Sequence, residues 1–240
     1  MSVEREPATV LRRVATLRSP YKQKFAIPRQ PNLVREAIGE LVFAPEFADP
    51  NALRGLEQFS HLWLLFVFHE TQAQGWNPTV TPPRLGGSAK VGVFASRSTF
   101  RPNAVGLSVV EFLDYHQHGK ELILRVRGID LLDGTPIIDI KPYIPYADAV
   151  PHAHGGYAPE APVAPLQVVF TDAARQQLLA QQAVHPELES FIVAVLQQDP
   201  RPAVHVRQAQ ERDYAVFLHD LNIRWQVSGD LCTVIAVEKA

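Results

Sequence analysis

A chain of 240 residues with 46% hydrophobic and 20% charged residues has an ordinary globular composition, long enough for one large domain or a larger and a smaller one. The single cysteine, Cys232, excludes an internal disulfide, no segment approaches the ~18 apolar residues of a membrane span, and the opening MSVEREPATV, with Glu4 and Glu6, lacks the apolar core of an export signal; a cytoplasmic protein in a reducing compartment is expected. A net charge of -2 excludes a uniformly basic nucleic-acid binder.

The charge is nevertheless uneven. Arg12, Arg13, Arg18, Lys22, Lys24 and Arg29 follow one another with no acid among them, and Arg84, Lys90, Arg97 and Arg101 fall in a stretch without any acid between Glu70 and Glu111. Either an anionic ligand meets these segments, or acids from elsewhere balance them in three dimensions.

In chain order, Val10–Thr16 reads as a first strand and Asn51–Gln58 as a short helix. Leu62–Phe68 is an unbroken apolar run of strand length. Lys90–Ala95, Gly106–Leu113, Glu121–Ile129 and Ile137–Ile140 are further strands, separated by Gly, Pro or Asp turns. The 20 prolines exceed the usual share of about 5% and suit many short segments. Strands do not alternate with long helices, so a doubly wound sheet is excluded and a β-barrel over residues 1–150 is predicted. Pro151–Pro165 carries four prolines and two glycines without apolar periodicity and reads as a linker. Residues 166–240 then change character. Thr171 or Asp172 caps a helix running to about Val184. Pro186 opens a second helix, whose Leu188, Phe191, Ile192, Val195 and Leu196 form one buried stripe. Tyr214–His219 and Ile223–Val227 make a hairpin, and Leu231–Val237 is the last strand. The predicted class is mainly β: a barrel that lacks the Rossmann pattern, followed by a small α+β unit.

Four polar segments stand out. Ser96-Arg97-Ser98-Thr99-Phe100-Arg101-Pro102-Asn103 sets two arginines and three hydroxyls between apolar strands. The arginines suit a bidentate grip on phosphate or carboxylate, and the competing reading is a polar hairpin loop. Tyr21 to Pro31 alternates cations with aromatics, which suits phosphate contacts with base stacking or a solvated loop. His69-Glu70 ends the strand Leu62–Phe68. No HExxH follows, and the spacing of His61, His69, His152 and His154 matches no metal motif, so no metal is assigned. Asp130-Leu131-Leu132-Asp133-Gly134-Thr135-Pro136 offers carboxylates for ribose or amino groups, or is simply a tight turn. No dinucleotide, P-loop or GxSxG signature is present.

These stretches, RSPYKQKFAIPRQP, GLEQFSHLWLLFVFHE, GVFASRSTFRPNAVGLS and GIDLLDGTPIIDIKPYIP, resemble the TsaA-like (TrmO) family of tRNA N6-methyltransferases. QDPRP and YAVFLHDLNIRW resemble the longer bacterial form of that family. The resemblance implies a β-barrel enzyme that uses S-adenosylmethionine to methylate N6-threonylcarbamoyladenosine beside the anticodon of threonine-accepting tRNA. It implies a homodimer with the cofactor near the subunit interface. By the same likeness, Pro28, Arg29, Gln30, His69, Glu70, Arg97, Leu107, Asp130, Leu131, Leu132 and Asp133 are expected around the cofactor. The acceptor nitrogen is a poor nucleophile, so Asp139 is the candidate base, Tyr143 a stacking or hydrogen-bonding group, and Lys141 a partner for the threonyl carboxylate or a phosphate. The competing class is a non-catalytic module binding an adenosine ligand or RNA. The cofactor segments all precede the linker, so a chain ending near Pro159 is expected to keep them, while Arg201, Arg207, Arg212 and Arg224 of the C-terminal unit are candidates for gripping tRNA. The opposing view is that this unit buttresses the barrel.

Overall fold

The computed structural model describes residues 9–86, 88–202, 205–206 and 212–240; Arg207 lies outside them. Strands β1 (Ala15–Arg18), β2 (Ile38–Phe43), β3 (His61–Val67), β6 (Val105–His118), β7 (Glu121–Arg127) and β8 (Pro136–Pro142) belong to the first unit, with the short helix α1 (His69–Gln72) and a two-residue pair, β4 (Thr79–Val80) and β5 (Val91–Gly92), between β3 and β6. Because β1 pairs with β2 on one side and β8 on the other, the order β1-β2-β7-β6-β3-β8 returns on itself and the sheet closes as a barrel. Closure leaves no unpaired edge. Alternation decides which side chains point inward. In β3, Leu62, Leu64 and Phe66 are buried, while His61, Trp63, Leu65 and Val67 face out and are only partly covered. Gly106 lies opposite Phe66, and a Cβ there would run into the Phe66 and Phe68 rings. Only glycine lets those rings close that end of the sheet.

Several local expectations differ. Residues 10–14 lie outside the strand, although the Val14 N–H donates to Ile137 O at 2.8 Å and its carbonyl accepts from Ala44 N at 2.9 Å; the first strand begins at Ala15, where Ala15 and Leu17 are the first inward apolar residues. Asn51–Gln58 is not one helix but two 3-10 turns, Pro50–Leu53 and Leu56–Gln58, interrupted by Gly55 at φ 87°. Of Lys90–Ala95, only Val91–Gly92 pairs as strand, and Val93–Ala95 is a 3-10 turn. Strand β2 carries only a short alternating pattern and was not anticipated.

After the short helix α2 (Pro145–Asp148), the C-terminal unit contains β9 (Gln167–Phe170), α3 (Asp172–Gln181), α4 (Leu188–Gln197), β10 (Asp213–Leu218), β11 (Leu221–Ser228) and β12 (Leu231–Lys239). These strands form a separate four-stranded sheet in the order β10-β11-β12-β9. Thr171 caps α3 by accepting from the Ala174 N–H at 3.2 Å. The stripe Leu188, Phe191, Ile192, Val195 and Leu196 is buried as its spacing requires.

One hydrophobic cluster runs through both units, and the segment Ser19–Ile27 is where they join. Tyr21 is completely buried. Its backbone bridges Leu218, and its ring lies 5.7 Å from that of Phe191. Phe25 stacks on Trp225 at 6.0 Å, and the His219 N–H donates to Pro20 O at 2.8 Å. The same segment is tied to the barrel: Ser19 N donates to Asp133 Oδ1 at 2.7 Å, Ser19 Oγ to Leu131 O at 2.7 Å, and Asp133 N to Tyr21 O at 2.9 Å. Lys22 Nζ pairs with Asp133 Oδ2 at 2.8 Å.

Ser19–Ile27 is therefore a strap fastened to both units, and it favours buttressing over independent units. Burying one large aromatic contributes about 1.5–3 kcal/mol, against a total stability of about 5–15 kcal/mol. A chain ending at Pro159 exposes Tyr21 and Phe25 together. It is expected to melt well below the full chain and to lose S-adenosylmethionine affinity as well; an unshifted melting temperature with full affinity would refute the buttressing role.

The seam also sets an acid limit. The His219 ring lies 4.3 Å from that of His185, which itself meets Asp220 Oδ1 at 3.0 Å. Burial first, then the charges of His185 and Lys22, push the His219 pKa from 6.5 down to about 4, with Asp220 opposing. A depressed histidine contributes stability that is present above 6.5 and lost as pH falls through about 4. His219 sits at φ 55°, which asparagine also tolerates. Melting temperature is expected to fall from pH 6.5 to 4 in the native chain and to fall less over that window in His219→Asn.

Candidate active site

The 96–103 segment is organised first by its own backbone. Ser96 Oγ donates to Val93 O at 2.8 Å and accepts from Ser98 N at 3.2 Å. Ser98 Oγ in turn accepts from Phe100 N at 3.2 Å. Arg101 Nη1 donates to Ser96 O at 2.7 Å and Val93 O at 3.3 Å. Two of the three hydroxyls and one of the two arginines are thus spent on shaping the loop. Arg97 is the group this shaping presents: it is exposed, and its Nη1 donates to Gln30 Oε1. That bond joins the 28–30 segment to the loop. Within that segment Pro28 is buried, while Arg29 is exposed and has no partner among the described residues.

Asp130 follows β7 after Gly128, whose φ of 79° turns the chain where a Cβ would meet Asn32. Ser108 Oγ donates to Asp130 Oδ1 at 2.7 Å. Burial raises the Asp130 pKa from 3.8 to about 6, against the lowering effects of the Ser108 hydrogen bond and the Arg97 charge. Gln30–Arg97 and Ser108–Asp130 are thus two hydrogen-bonded pairs, the Arg97 charge acting on Asp130, and Leu107, next to the inward Ser108 in β6, faces outward and is 50% exposed. Ser108 was not singled out from the sequence. Its signal was a lone hydroxyl at an inward position of the apolar strand Gly106–Leu113.

The other expected cofactor residues divide. Leu131 is buried and its carbonyl accepts from Ser19. The Leu132 carbonyl accepts from Thr135 Oγ1 at 2.6 Å. Both Asp133 oxygens are engaged by the strap, so its side chain holds the loop in place. His69 and Glu70 begin α1. Glu70 Oε2 lies 3.6 Å from Lys24 Nζ and Glu70 Oε1 3.8 Å from His69 Nε2, so this pair is tied to the strap.

Strand register places Asp139, Lys141 and Tyr143 on the outer face of the barrel. Asp139 lies opposite Leu65, and Leu65 opposite Leu107. Two strand spacings put Asp139 about 10 Å from Leu107 across the sheet. Lys141 Nζ lies 3.1 Å from Asp139 Oδ2, and Asp139 Oδ1 accepts from the Ile140 N–H at 3.0 Å. Tyr143 packs on Trp63 at 5.8 Å, and Trp63 Nε1 donates to Asp148 Oδ2 at 3.0 Å. In the sequence Trp63 is marked only as part of the apolar strand Leu62–Phe68. Among the described residues no group of three or more His, Cys, Asp or Glu stands ready for a metal ion.

The basic N-terminal stretch is largely balanced by acids. Arg12 pairs with Glu46, Arg18 with Glu121 and Glu40, Lys22 with Asp133 and Lys24 with Glu70. In the C-terminal unit, Arg201 is locked onto Asp199 at 2.7 Å, Arg224 lies 3.5 Å from Asp213, and Arg212 approaches His205 at 3.1 Å.

Comparison with known proteins places the chain in a family. Residues 16–149 match the family model of the tRNA-methyltransferase O N-terminal domain, and residues 163–240 that of the TrmO C-terminal domain. The tRNA (adenine(37)-N6)-methyltransferase of Escherichia coli (strain K12) is 51% identical over 225 residues, covering 94% of this chain and 96% of that protein. A Pseudomonas aeruginosa relative, whose name assigns it provisionally to the S-adenosylmethionine-dependent methyltransferases, is 46% identical across 93% of this chain and 95% of its own. The crystal structure of TrmO from Pseudomonas aeruginosa superposes with a TM-score of 0.79 at 39% identity, covering 96% of this chain and 98% of that one. The chain belongs to the tRNA-methyltransferase O family.

Proposed function

We propose that the protein is an S-adenosylmethionine-dependent tRNA methyltransferase acting on adenine N6, with N6-threonylcarbamoyladenosine beside the anticodon of threonine-accepting tRNA as its substrate. The observation that carries the reading is the exposed Arg97 held by Gln30, with Asp130 held by Ser108, in a chain similar over nearly its whole length to a tRNA (adenine(37)-N6)-methyltransferase.

The residues present fit the cofactor. Arg97 has one hydrogen-bond partner and an exposed guanidinium fork, suited to the carboxylate of an amino acid. Asp130 is a carboxylate held at about 6 by burial, with one oxygen taken by Ser108; a cationic neighbour relieves that penalty. Leu107 offers apolar surface for a base. When bound, S-adenosylmethionine supplies a methyl group already activated on a sulfonium. The protein's contribution is placement, which can supply about 7–11 kcal/mol of a barrier. Asp139, Lys141 and Tyr143 form the acceptor side of this reading. The exposed Lys141–Asp139 pair contributes less than about 1 kcal/mol, so Lys141 can exchange Asp139 for the threonyl carboxylate. Asp139 then becomes available to take the acceptor proton, with Tyr143 against the base.

A homodimer belongs to this proposal. Its support is the apolar outer face on which Trp63, Leu65, Leu107 and Val109 lie in adjacent cross-strand rows. Cytoplasmic location fits a tRNA substrate, and among the described residues no helix is long and apolar enough to cross a membrane.

Two measurements test the reading. Transfer of labelled methyl to tRNA from cells lacking the gene, followed by nucleoside mass spectrometry, is expected to convert N6-threonylcarbamoyladenosine to its N6-methyl derivative. Labelling of a different nucleoside would remove the proposed substrate. Calorimetry tests the site. Arg97→Ala is expected to weaken S-adenosylmethionine binding by roughly 10- to 150-fold, the range of a lost charged hydrogen bond. The native affinity should rise with pH through about 6, where Asp130 ionises, because a cation binds the carboxylate and not the acid. Asp130→Asn should flatten that rise, and an unchanged profile would exclude Asp130.

A further inference from the structure

The acid-free stretch of residues 71–110 bears four cations and no acid, a local charge of +4. The C-terminal unit, residues 166–240, has 6 Lys or Arg against 9 Asp or Glu, or -3. Its Arg175, Arg201 and Arg224 pair with Glu189, Asp199 and Asp213 of the same unit. A polyanion meets attraction at the first surface and net repulsion at the second.

The excursion between α1 and β6 is also ordered from within. Thr79 and Val80 pair with Gly92 and Val91, the Val93 N–H donates to Pro78 O at 3.0 Å, and the Asn77 N–H to Phe100 O at 3.3 Å. Val93 is buried and anchors its turn, while the next residue, Phe94, is 76% exposed. Trp76, at the start of the excursion, is 53% exposed. An anchored backbone that holds large aromatics in solvent forgoes the favourable burial of their apolar surface, which makes both rings candidates for contact with a ligand. The Arg101 guanidinium lies 6.0 Å from the Phe94 ring centroid. Arg84 and Lys90, on the loop between β4 and β5, have no ion-pair partner among the described residues. Arg97 belongs to the same excursion and to the candidate cofactor site.

We infer that this excursion is the surface on which the tRNA anticodon loop docks, with Phe94 and Trp76 stacking on unpaired bases and Arg84 and Lys90 contacting phosphates. Stacking platforms interleaved with unpaired cations suit single-stranded nucleic acid. The inference rests on the tRNA methyltransferase reading and assigns RNA contact to the first unit rather than the second.

The test uses the full-length protein and purified threonine-accepting tRNA. Phe94→Ala is expected to weaken tRNA binding about 5- to 150-fold, the range for one lost base stack, with Phe94→Tyr restoring it. Arg84→Gln and Lys90→Gln should each lower the salt slope of tRNA binding by about 0.7–0.9. Arg224→Gln, in the acidic unit, should leave affinity and slope unchanged. S-adenosylmethionine affinity should stay at the native value in all five variants, which reports that the fold and cofactor site survive. Methyl transfer by the native enzyme together with native tRNA affinity and slope in Phe94→Ala, Arg84→Gln and Lys90→Gln overturns the surface and leaves the function standing. A change in oligomeric mass without a change in tRNA affinity identifies the surface as a contact between copies and likewise overturns the inference. No methyl transfer to tRNA by the native enzyme removes the functional reading itself.

Discussion

The interaction on which the rest depends is the double fastening of the strap at Tyr21. Its ring is buried by Phe191 of the C-terminal unit, and its carbonyl accepts the Asp133 N–H of the barrel. Beyond Tyr21 the chain runs on to Gln30, which holds Arg97. An aromatic removed from water and a handful of backbone hydrogen bonds therefore link the second sheet to both sides of the candidate site. Pre-organisation of this kind lowers the ordering cost of binding. It also explains why Asp133, an attractive ligand on sequence grounds, is consumed by structure: its two oxygens are worth more satisfying Ser19 and Lys22 than facing solvent.

The sequence was most legible where burial imposes a period. The stripe in α4 follows directly from hydrophobic spacing, as does the change of character at the linker, whereas the unbroken apolar run of β3 marks a strand without showing which of its residues face inward. It was least legible where conformation depends on partners distant in sequence. Strand β2 is too short for its pattern to stand out and owes its pairing to β1 and β7. Lys90–Ala95 is as apolar as a strand, yet Val93 finds its burial in a turn. The site shows the same division. The arginine loop was recognisable by composition, but composition could not show that Arg101 and the serines shape the loop while Arg97 is presented by it. Nor could it reveal Ser108, which becomes meaningful only once Asp130 is brought 2.7 Å away by the end of β7.

Electrostatics illustrates a third limit. Two stretches looked equally basic in the sequence. In three dimensions Arg12, Arg18, Lys22 and Lys24 are neutralised by acids from four other segments, whereas the cations of residues 71–110 form no ion pair among the described residues. Chain-local charge is a property of the unfolded polymer; what a ligand meets is the residue left after folding has paired what it can.

The closure of the barrel has a consequence for how the protein is made. Strand β1 pairs with β8, so Ala15 must wait for Ile137 before its second edge is satisfied. The strap waits longer still, since Leu218 and Trp225 are synthesised well after Ile137. During translation the nascent chain therefore carries an open sheet edge and two uncovered aromatics for most of its elongation. Such non-local pairing is slow and exposes the chain to aggregation. The strap is covered only once β10 and β11 arrive, and premature termination before β10 leaves Tyr21 and Phe25 uncovered as well as the second sheet unformed.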